Sequence, residues 1–191
     1  MTWAVGTVLR EGAKPLALSR FPCHAWRMTA AGPSTESVDF ALAAYRQEGV
    51  WQVAELTPDH ATDVDTLVSA LRRFPGDGGV VGLVAVEEDF FFVVRVTGQQ
   101  VRVMLSDITA ASEWELAADV VEHLGLPPVD DEDDPEPAGD LELLSDLGVD
   151  AMFLAEVLDD DELYPDEMLS EIARGMGFGQ LFDDVVGLTS A

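Results

Sequence analysis

The sequence predicts an α+β fold, in which a five-stranded antiparallel sheet with flanking helices is followed by an acidic helical segment. Two observations lead to this prediction. Between residues 38 and 128 the patterns run in the order strand, strand, helix, three strands, helix. After residue 128 apolar side chains recur at helical spacing, and acidic residues far outnumber basic ones. The length of 191 residues suits one domain, or one domain with an appendage.

The first two strands are predicted from the spacing of their side chains. Over residues 38–45 apolar positions recur with a period of two, which is typical of a strand. Residues 47–49 are a predicted turn, and residues 50–56 form a second strand that places Trp51 and Val53 on one face. The short connection predicts a β-hairpin.

A helix follows this hairpin. Thr62 or Asp63 can cap it, and its apolar side chains recur at i, i+3, i+4, i+7 and i+10 from Val64. This spacing puts them on one face, so the helix must pack against a core. Residues 75–79 contain a proline and three glycines, which end the helix.

Three further strands complete the predicted sheet. Residues 80–86 are a continuous apolar run, of the kind found in strands that are covered on both faces. Residues 87–89 are all acidic and form the predicted turn into a strand over residues 90–97. A last strand over residues 101–105 alternates apolar and other side chains, so the three strands form a meander.

A second helix is predicted after the meander. Ser112, followed three residues later by Glu115, is a capping box that marks its start. Gly125 and Pro127 end it. The resulting order of elements resembles that of profilin-like and longin-like domains. A resemblance of fold implies little about activity.

Composition and charge divide the chain into four segments. Residues 1–37 lack periodicity and are expected to be poorly ordered. Residues 38–128 form the predicted sheet domain. Residues 129–140 are rich in acids and proline, which predicts a linker. Residues 141–191 are predicted to form a small helical appendage that docks on the sheet domain or on a partner.

Four short helices are predicted in and just before this last segment. Asp140 and Asp150 can cap the first two, and Pro165 is a favourable first residue for the third. The fourth helix contains the apolar side chains of residues 181–186. Together they make an appendage of about fifty residues, which is shorter than what usually folds alone.

The chain is strongly acidic. Its 37 acidic and 10 basic side chains give a net charge of −27. Such a surface repels phosphate backbones, so direct nucleic acid binding is disfavoured and basic protein partners are favoured. No apolar run reaches the roughly 20 residues of a membrane span. The single cysteine and the lack of a signal-peptide pattern predict a cytoplasmic protein.

No set of side chains has the spacing of a catalytic, cofactor or metal site. The acidic runs at residues 87–89, 130–134 and 159–162 could ligate a hard cation, but an EF-hand loop that started at Asp130 would lack its glycine and its final glutamate. We interpret these runs as solvated charge, and weak binding of a divalent cation stays open. We expect no bound cofactor.

Five stretches of the sequence resemble the actinobacterial family of tRNA adenosine deaminase-associated proteins. Residues 1–37 lie outside this resemblance. The family name reflects genes that lie beside a tRNA adenosine deaminase, so the resemblance implies a partner and carries over no catalytic residues. The stretches are Val38-Asp39-Phe40-Ala41, Leu71-Arg72-Arg73-Phe74-Pro75-Gly76, Glu87-Glu88-Asp89-Phe90-Phe91, Leu105-Ser106-Asp107-Ile108-Thr109-Ala110-Ala111 and Leu163-Tyr164-Pro165-Asp166-Glu167-Met168-Leu169.

The chain itself is not a zinc deaminase. Those enzymes need two thiolates and an H-x-E arrangement, whereas this chain has one cysteine, and His24 is followed by Ala25-Trp26. An enzyme that handles tRNA presents a cationic surface, which an acidic protein complements. The leading hypothesis is a non-catalytic accessory or regulatory protein that binds the deaminase or another basic protein.

Two alternatives come from other classes of protein. One is an acidic mimic of nucleic acid that binds an unrelated basic protein. The other is a hydrolase that uses the carboxylate clusters with a metal ion. The oligomeric state stays open. Under the leading hypothesis the candidate partner-binding residues are Glu87, Glu88, Asp89, Tyr164, Asp166 and Glu167.

Overall fold

The computed structural model describes residues 38–129 and 134–188, which fall within one compact unit. Its centre is a six-stranded antiparallel sheet, and helices cover both faces of that sheet. The α+β class is therefore confirmed. The prediction that residues 1–37 are poorly ordered lies outside the described residues.

The predicted hairpin is confirmed. It consists of β1 (Val38–Gln47) and β2 (Val50–Glu55). Glu48 and Gly49 connect the two strands with φ angles of 55° and 80°, the left-handed geometry that two-residue hairpin turns favour. On its other side β1 pairs with β3 (Val80–Val86), so β1 is internal and β2 is an edge strand.

The predicted meander is also confirmed. β3 pairs with β4 (Phe90–Thr97), and β4 pairs with β5 (Gln100–Leu105). Every residue of β3 is buried, as the continuous apolar run indicated. Because successive side chains point to opposite faces, Phe90 enters one core and Phe91 enters the other. The sheet therefore separates two hydrophobic cores.

The predicted number of strands is wrong by one. A sixth strand, β6 (Ala138–Gly139), pairs with β5 and completes the order β2-β1-β3-β4-β5-β6. These two residues lie in the predicted acidic linker, and a strand of two residues has no periodicity that a sequence pattern could reveal. The pairing depends on Gly139, which has a φ of 96° and lies directly against the Val103 carbonyl.

Two helices cover the first face of the sheet. They are α1 (Val64–Leu71) and α2 (Glu115–His123). Asp63 caps α1, since its Oδ1 accepts the Thr66 N–H at 2.7 Å. The capping box predicted at Ser112 is wrong: residues 108–112 form a 3-10 helix, and the Ser112 hydroxyl donates to the Thr109 carbonyl at 2.9 Å. Trp114 takes the N-cap position of α2.

Three helices cover the second face of the sheet. They are α3 (Ala151–Leu158), α4 (Pro165–Met176) and α5 (Gly179–Val186). Asp150 caps α3 as predicted, because its Oδ1 accepts the Phe153 N–H at 2.9 Å. The predicted start of α4 at Pro165 is also confirmed.

The helix predicted after Asp140 is instead a turn followed by a short 3-10 helix at Ser145–Leu147. Gly148 ends this segment with a left-handed φ of 104°. The buried Leu143 and Leu144 belong to the second core, so the segment still packs against the sheet. Within the described ranges every helix is too short or too polar to cross a bilayer.

Candidate functional site

A groove lies at the end of the sheet where β3 turns into β4. Its volume is about 410 Å³. It is lined by the β3–β4 turn, the loop after β5, residues 135–137 and the connection between α3 and α4. We call it the acidic groove, since six carboxylates line it: Glu88, Asp89, Asp107, Glu136, Asp159 and Asp161.

The β3–β4 turn holds the first predicted cluster at the surface. The Asp89 N–H donates to the Val86 carbonyl at 3.3 Å and closes the turn. Glu87 has a φ of 48°, a left-handed angle that is uncommon for a residue other than glycine. All three acidic side chains of the turn are exposed, and Glu88 and Asp89 line the groove.

The start of α4 forms part of the opposite wall. Tyr164 is 56% exposed and lines the groove together with Met168. The Tyr164 N–H donates to Glu167 Oε2 at 3.1 Å, so the Glu167 carboxylate caps the helix. The structure thus brings Tyr164 to the same groove as the β3–β4 turn, which lies some 75 residues earlier in the sequence.

Hydrogen bonds fix the wall that follows β5. The Ser106 hydroxyl accepts the Phe91 N–H at 2.9 Å, and Asp107 Oδ1 accepts the Thr109 N–H at 2.8 Å. The Ile108 N–H donates to the Glu136 carbonyl at 2.9 Å. This bond holds the segment before β6 against the loop after β5, so the groove has a defined shape.

The carboxylate of Asp39 is repelled by acidic side chains near the groove. Burial, together with the negative charges of Glu87, Asp166 and Glu88, raises the pKa of Asp39 above its usual value of 3.8. Asp39, at the start of β1, therefore lies close to the predicted residues Glu87 and Asp166. The ion pairs of the described residues use Asp140, Asp146, Glu171 and Asp183, none of which lines the groove. Within the described part of the chain, the groove therefore gathers negative charge that no ion pair compensates.

We expect the substitution Asp39→Asn to stabilise the chain modestly at neutral pH. A raised pKa in the folded state means that ionised Asp39 opposes folding, so stability falls as the pH rises from 3.8 through the folded-state pKa. The gain from Asp39→Asn should therefore be present near pH 7 and vanish below 3.8, where both states are protonated. Urea unfolding at the two pH values measures it.

The control for this prediction is Glu55→Gln, which removes an exposed carboxylate on the edge strand β2, opposite Leu42. It makes the net charge less negative by the same one unit, and Glu55 is not among the charges that raise the pKa of Asp39. An equal gain from both substitutions would attribute the effect to net charge and would contradict a local repulsion at Asp39.

The chain matches the family described as Rv3753c-like tRNA adenosine deaminase-associated protein over residues 39–179, about three quarters of its length. The chain belongs to this family. A relative from Mycobacterium tuberculosis, Protein Rv3753c, is 39% identical over 158 residues, which cover 81% of this chain and 91% of the relative. No solved structure matches the chain, so the resemblance to profilin-like and longin-like domains stays a prediction.

The region that matches the tRNA adenosine deaminase-associated family contains Asp39 and every carboxylate of the acidic groove. Asp39, Asp107 and Glu136 are not among the candidate partner-binding residues, because their separation along the chain gives no sign that they lie at one end of the sheet. Strand pairing places them there: Asp39 is near the start of β1, Asp107 follows β5, and Glu136 precedes β6. Across the two described ranges, no group of three His, Cys, Asp or Glu side chains is placed to hold a metal ion.

Proposed function

We propose that this chain is a non-catalytic accessory protein that binds a tRNA adenosine deaminase through the acidic groove. The observation that supports this most directly is the groove itself, in which six carboxylates line one surface and none of them pairs with a cation among the residues that the structure describes. The family is named for association with a tRNA adenosine deaminase, which supports the choice of partner. The proposal includes no direct contact with nucleic acid.

The proposed binding depends on charge complementarity between the acidic groove and a basic surface of the deaminase. Enzymes that bind tRNA neutralise its phosphates with lysine and arginine side chains. The same side chains donate strong hydrogen bonds to carboxylates, and arginine can do so with two parallel bonds. The net charge of −27 would also accelerate the encounter with a cationic surface at low ionic strength.

The apolar side chains of the groove add a second contribution. Tyr164 is largely exposed in the isolated chain, and tyrosine is a frequent source of binding energy at protein interfaces. Met168 lies beside it and adapts to the shape of a partner. A basic segment with an apolar residue next to its cationic side chains would therefore fit this groove.

Reversing two charges in the groove should weaken the complex. We expect Glu88→Lys combined with Asp161→Lys to raise the dissociation constant for a purified tRNA adenosine deaminase by at least about tenfold. Both side chains are exposed, and neither makes a hydrogen bond that holds the fold. The measurement is isothermal titration calorimetry with the full chain, repeated at rising salt concentration.

The matched control combines Glu55→Lys with Glu122→Lys, two exposed sites outside the groove. It gives the same net charge and should leave binding nearly unchanged. Equal weakening by both pairs would exclude a groove-specific contact, and absence of binding at low salt would overturn the proposal. If an unrelated basic protein bound as tightly as the deaminase, the nucleic-acid-mimic alternative would replace it.

A further inference from the structure

A second cavity, of about 330 Å³, lies at the other end of the sheet. Its lining includes the strand residues Arg46, Trp51 and Arg95, and Asp146 and Leu147 from the 3-10 helix before α3. Along β1 this cavity is separated from Asp39 by seven residues, or roughly 23 Å of extended strand. The cavity is therefore distinct from the acidic groove.

Strand pairing gathers arginine side chains at this cavity. Arg46 lies directly across from Trp51, and Arg95 lies across from Arg102. Burial lowers the pKa of Arg95, as do the positive charges of Arg102 and Arg46, while Asp146 opposes the shift. Two arginines therefore line this cavity together with Asp77 and Asp146, whereas the charged residues that line the acidic groove are all carboxylates.

Arg95 is fully engaged with the protein. It is 3% exposed, and its Nη2 donates to the Gly78 carbonyl at 2.6 Å and to Asp146 Oδ2 at 3.0 Å. Its Nε donates to Thr97 Oγ1 at 3.3 Å. These bonds fix Arg95 as a rigid part of the wall and give it a counter-charge.

Arg46 has no such partner. Its guanidinium lies over the ring of Trp51, 4.6 Å from the ring centre, and it forms no ion pair with any described residue. Its Nε is buried, and none of the described residues offers it a hydrogen-bond acceptor. Buried donors without an acceptor are rare in native proteins, so this one indicates a place for an external acceptor.

We propose that this cavity binds a monocarboxylate, with the carboxylate on Arg46 and its apolar part against Trp51 and Leu147. A carboxylate matches the edge of a guanidinium with two parallel hydrogen bonds. Of the two arginines that line the cavity, Arg46 is the one that forms no ion pair with a described residue, so its guanidinium can pair with one carboxylate. Asp77 and Asp146, which also line the cavity, would repel a phosphate dianion. This proposal does not depend on binding at the acidic groove.

The proposal can be tested by NMR on the isotope-labelled full chain. The reporters are the Arg46 Nε–H and the indole N–H of Trp51, which donates to the Met176 carbonyl at 3.0 Å. We expect benzoate, titrated to tens of millimolar, to shift both signals along a saturable curve. Benzamide has the same shape without the charge and should shift neither.

Three variants test whether the Arg46 guanidinium is the group that binds benzoate. Arg46→Gln should weaken benzoate binding at least about tenfold. Arg72→Gln changes the net charge equally at an exposed site just after α1 and should leave binding unchanged. Arg46→Lys keeps the charge but loses the planar fork, so it should bind benzoate more weakly than the unmodified chain. If Arg46→Gln does not fold, the difference between the benzoate and benzamide titrations of the unmodified chain still tests whether the cavity requires a carboxylate.

A pair of peptides separates two sources of the carboxylate. If a short apolar peptide with a free C-terminus shifts the reporters and its amidated form does not, the proposal is supported and the source is a protein C-terminus. If benzoate alone shifts them, the proposal is supported and the source is a small metabolite. The proposal is overturned if neither shifts them, if benzamide acts like benzoate, or if inorganic phosphate binds more tightly.

Discussion

Replacing Phe182 with alanine is expected to lower the free energy of unfolding by about 3–5 kcal/mol. Phe182 lies in α5 and is fully buried in the core between α3–α5 and the sheet. Its ring packs edge-on against Phe40 of β1, with 5.6 Å between the ring centres. Truncation removes this packing and leaves a cavity that the sheet cannot collapse to fill. Urea unfolding followed by circular dichroism measures the loss.

The control for this prediction is Leu181→Ala, on the same helix. Leu181 is 44% exposed, so its truncation should cost less than about 1 kcal/mol. A similarly small loss for Phe182→Ala would show that α5 lies outside the cooperative core. Two separate transitions in the unmodified chain would also contradict the prediction, because they would mean that the C-terminal helices unfold as a unit of their own.

The sequence of β3 already indicates that helices must cover the face of the sheet on which α3, α4 and α5 lie. Its side chains alternate between the two cores, with Val84 in one and Leu83 in the other. A strand that is apolar on both sides needs helices on both faces of its sheet. The helices of residues 38–128 supply one layer, so the second face must be covered by the C-terminal helices.

The parts of the fold that the sequence predicts well are those with a local pattern. β3 and β4 have the predicted bounds, because continuous apolar runs between acidic or glycine turns leave few other solutions. The predicted start of α2 was wrong because residues 108–112 form a separate 3-10 helix, which Asp107 caps by accepting the Thr109 N–H at its Oδ1. Ser112 is the last residue of that 3-10 helix, and α2 begins only after Trp114, a residue without the side chain of a typical cap.

For the candidate sites too, residues with a local sequence pattern were predicted, and residues that only the fold brings together were not. Glu88, Asp89 and Tyr164 were selected from the sequence and do line one groove. The sequence does not predict the second cavity, because Arg46 and Arg95 belong to β1 and β4, which lie on either side of β3 and line one cavity only in the folded sheet. One feature of the sequence did point to this cavity. Arg95 interrupts the apolar run of β4, and a charged residue inside a buried strand must have a polar partner.

Gly139→Ala should cost about 2–3 kcal/mol of stability. The φ of Gly139 is 96°, a left-handed value that strains any residue with a side chain. A Cβ at this position would lie 2.3 Å from the Val103 carbonyl oxygen, so the added methyl group must push β6 away from β5. This movement also breaks the bond between the Asp140 N–H and the Val103 carbonyl, which is 2.9 Å long. Urea unfolding again measures the loss.

The matched control is Gly98→Ala, in the turn between β4 and β5. Gly98 has a φ of 60° with no atom within 4 Å of an added Cβ, so only the backbone penalty of about 1–2 kcal/mol applies. Equal losses would show that contact with β5 is unimportant. Residues 135–137 of the acidic groove directly precede β6, so Gly139→Ala should also weaken deaminase binding, whereas Gly98→Ala should not. If binding were unaffected while stability fell, β6 would support the fold without positioning the groove.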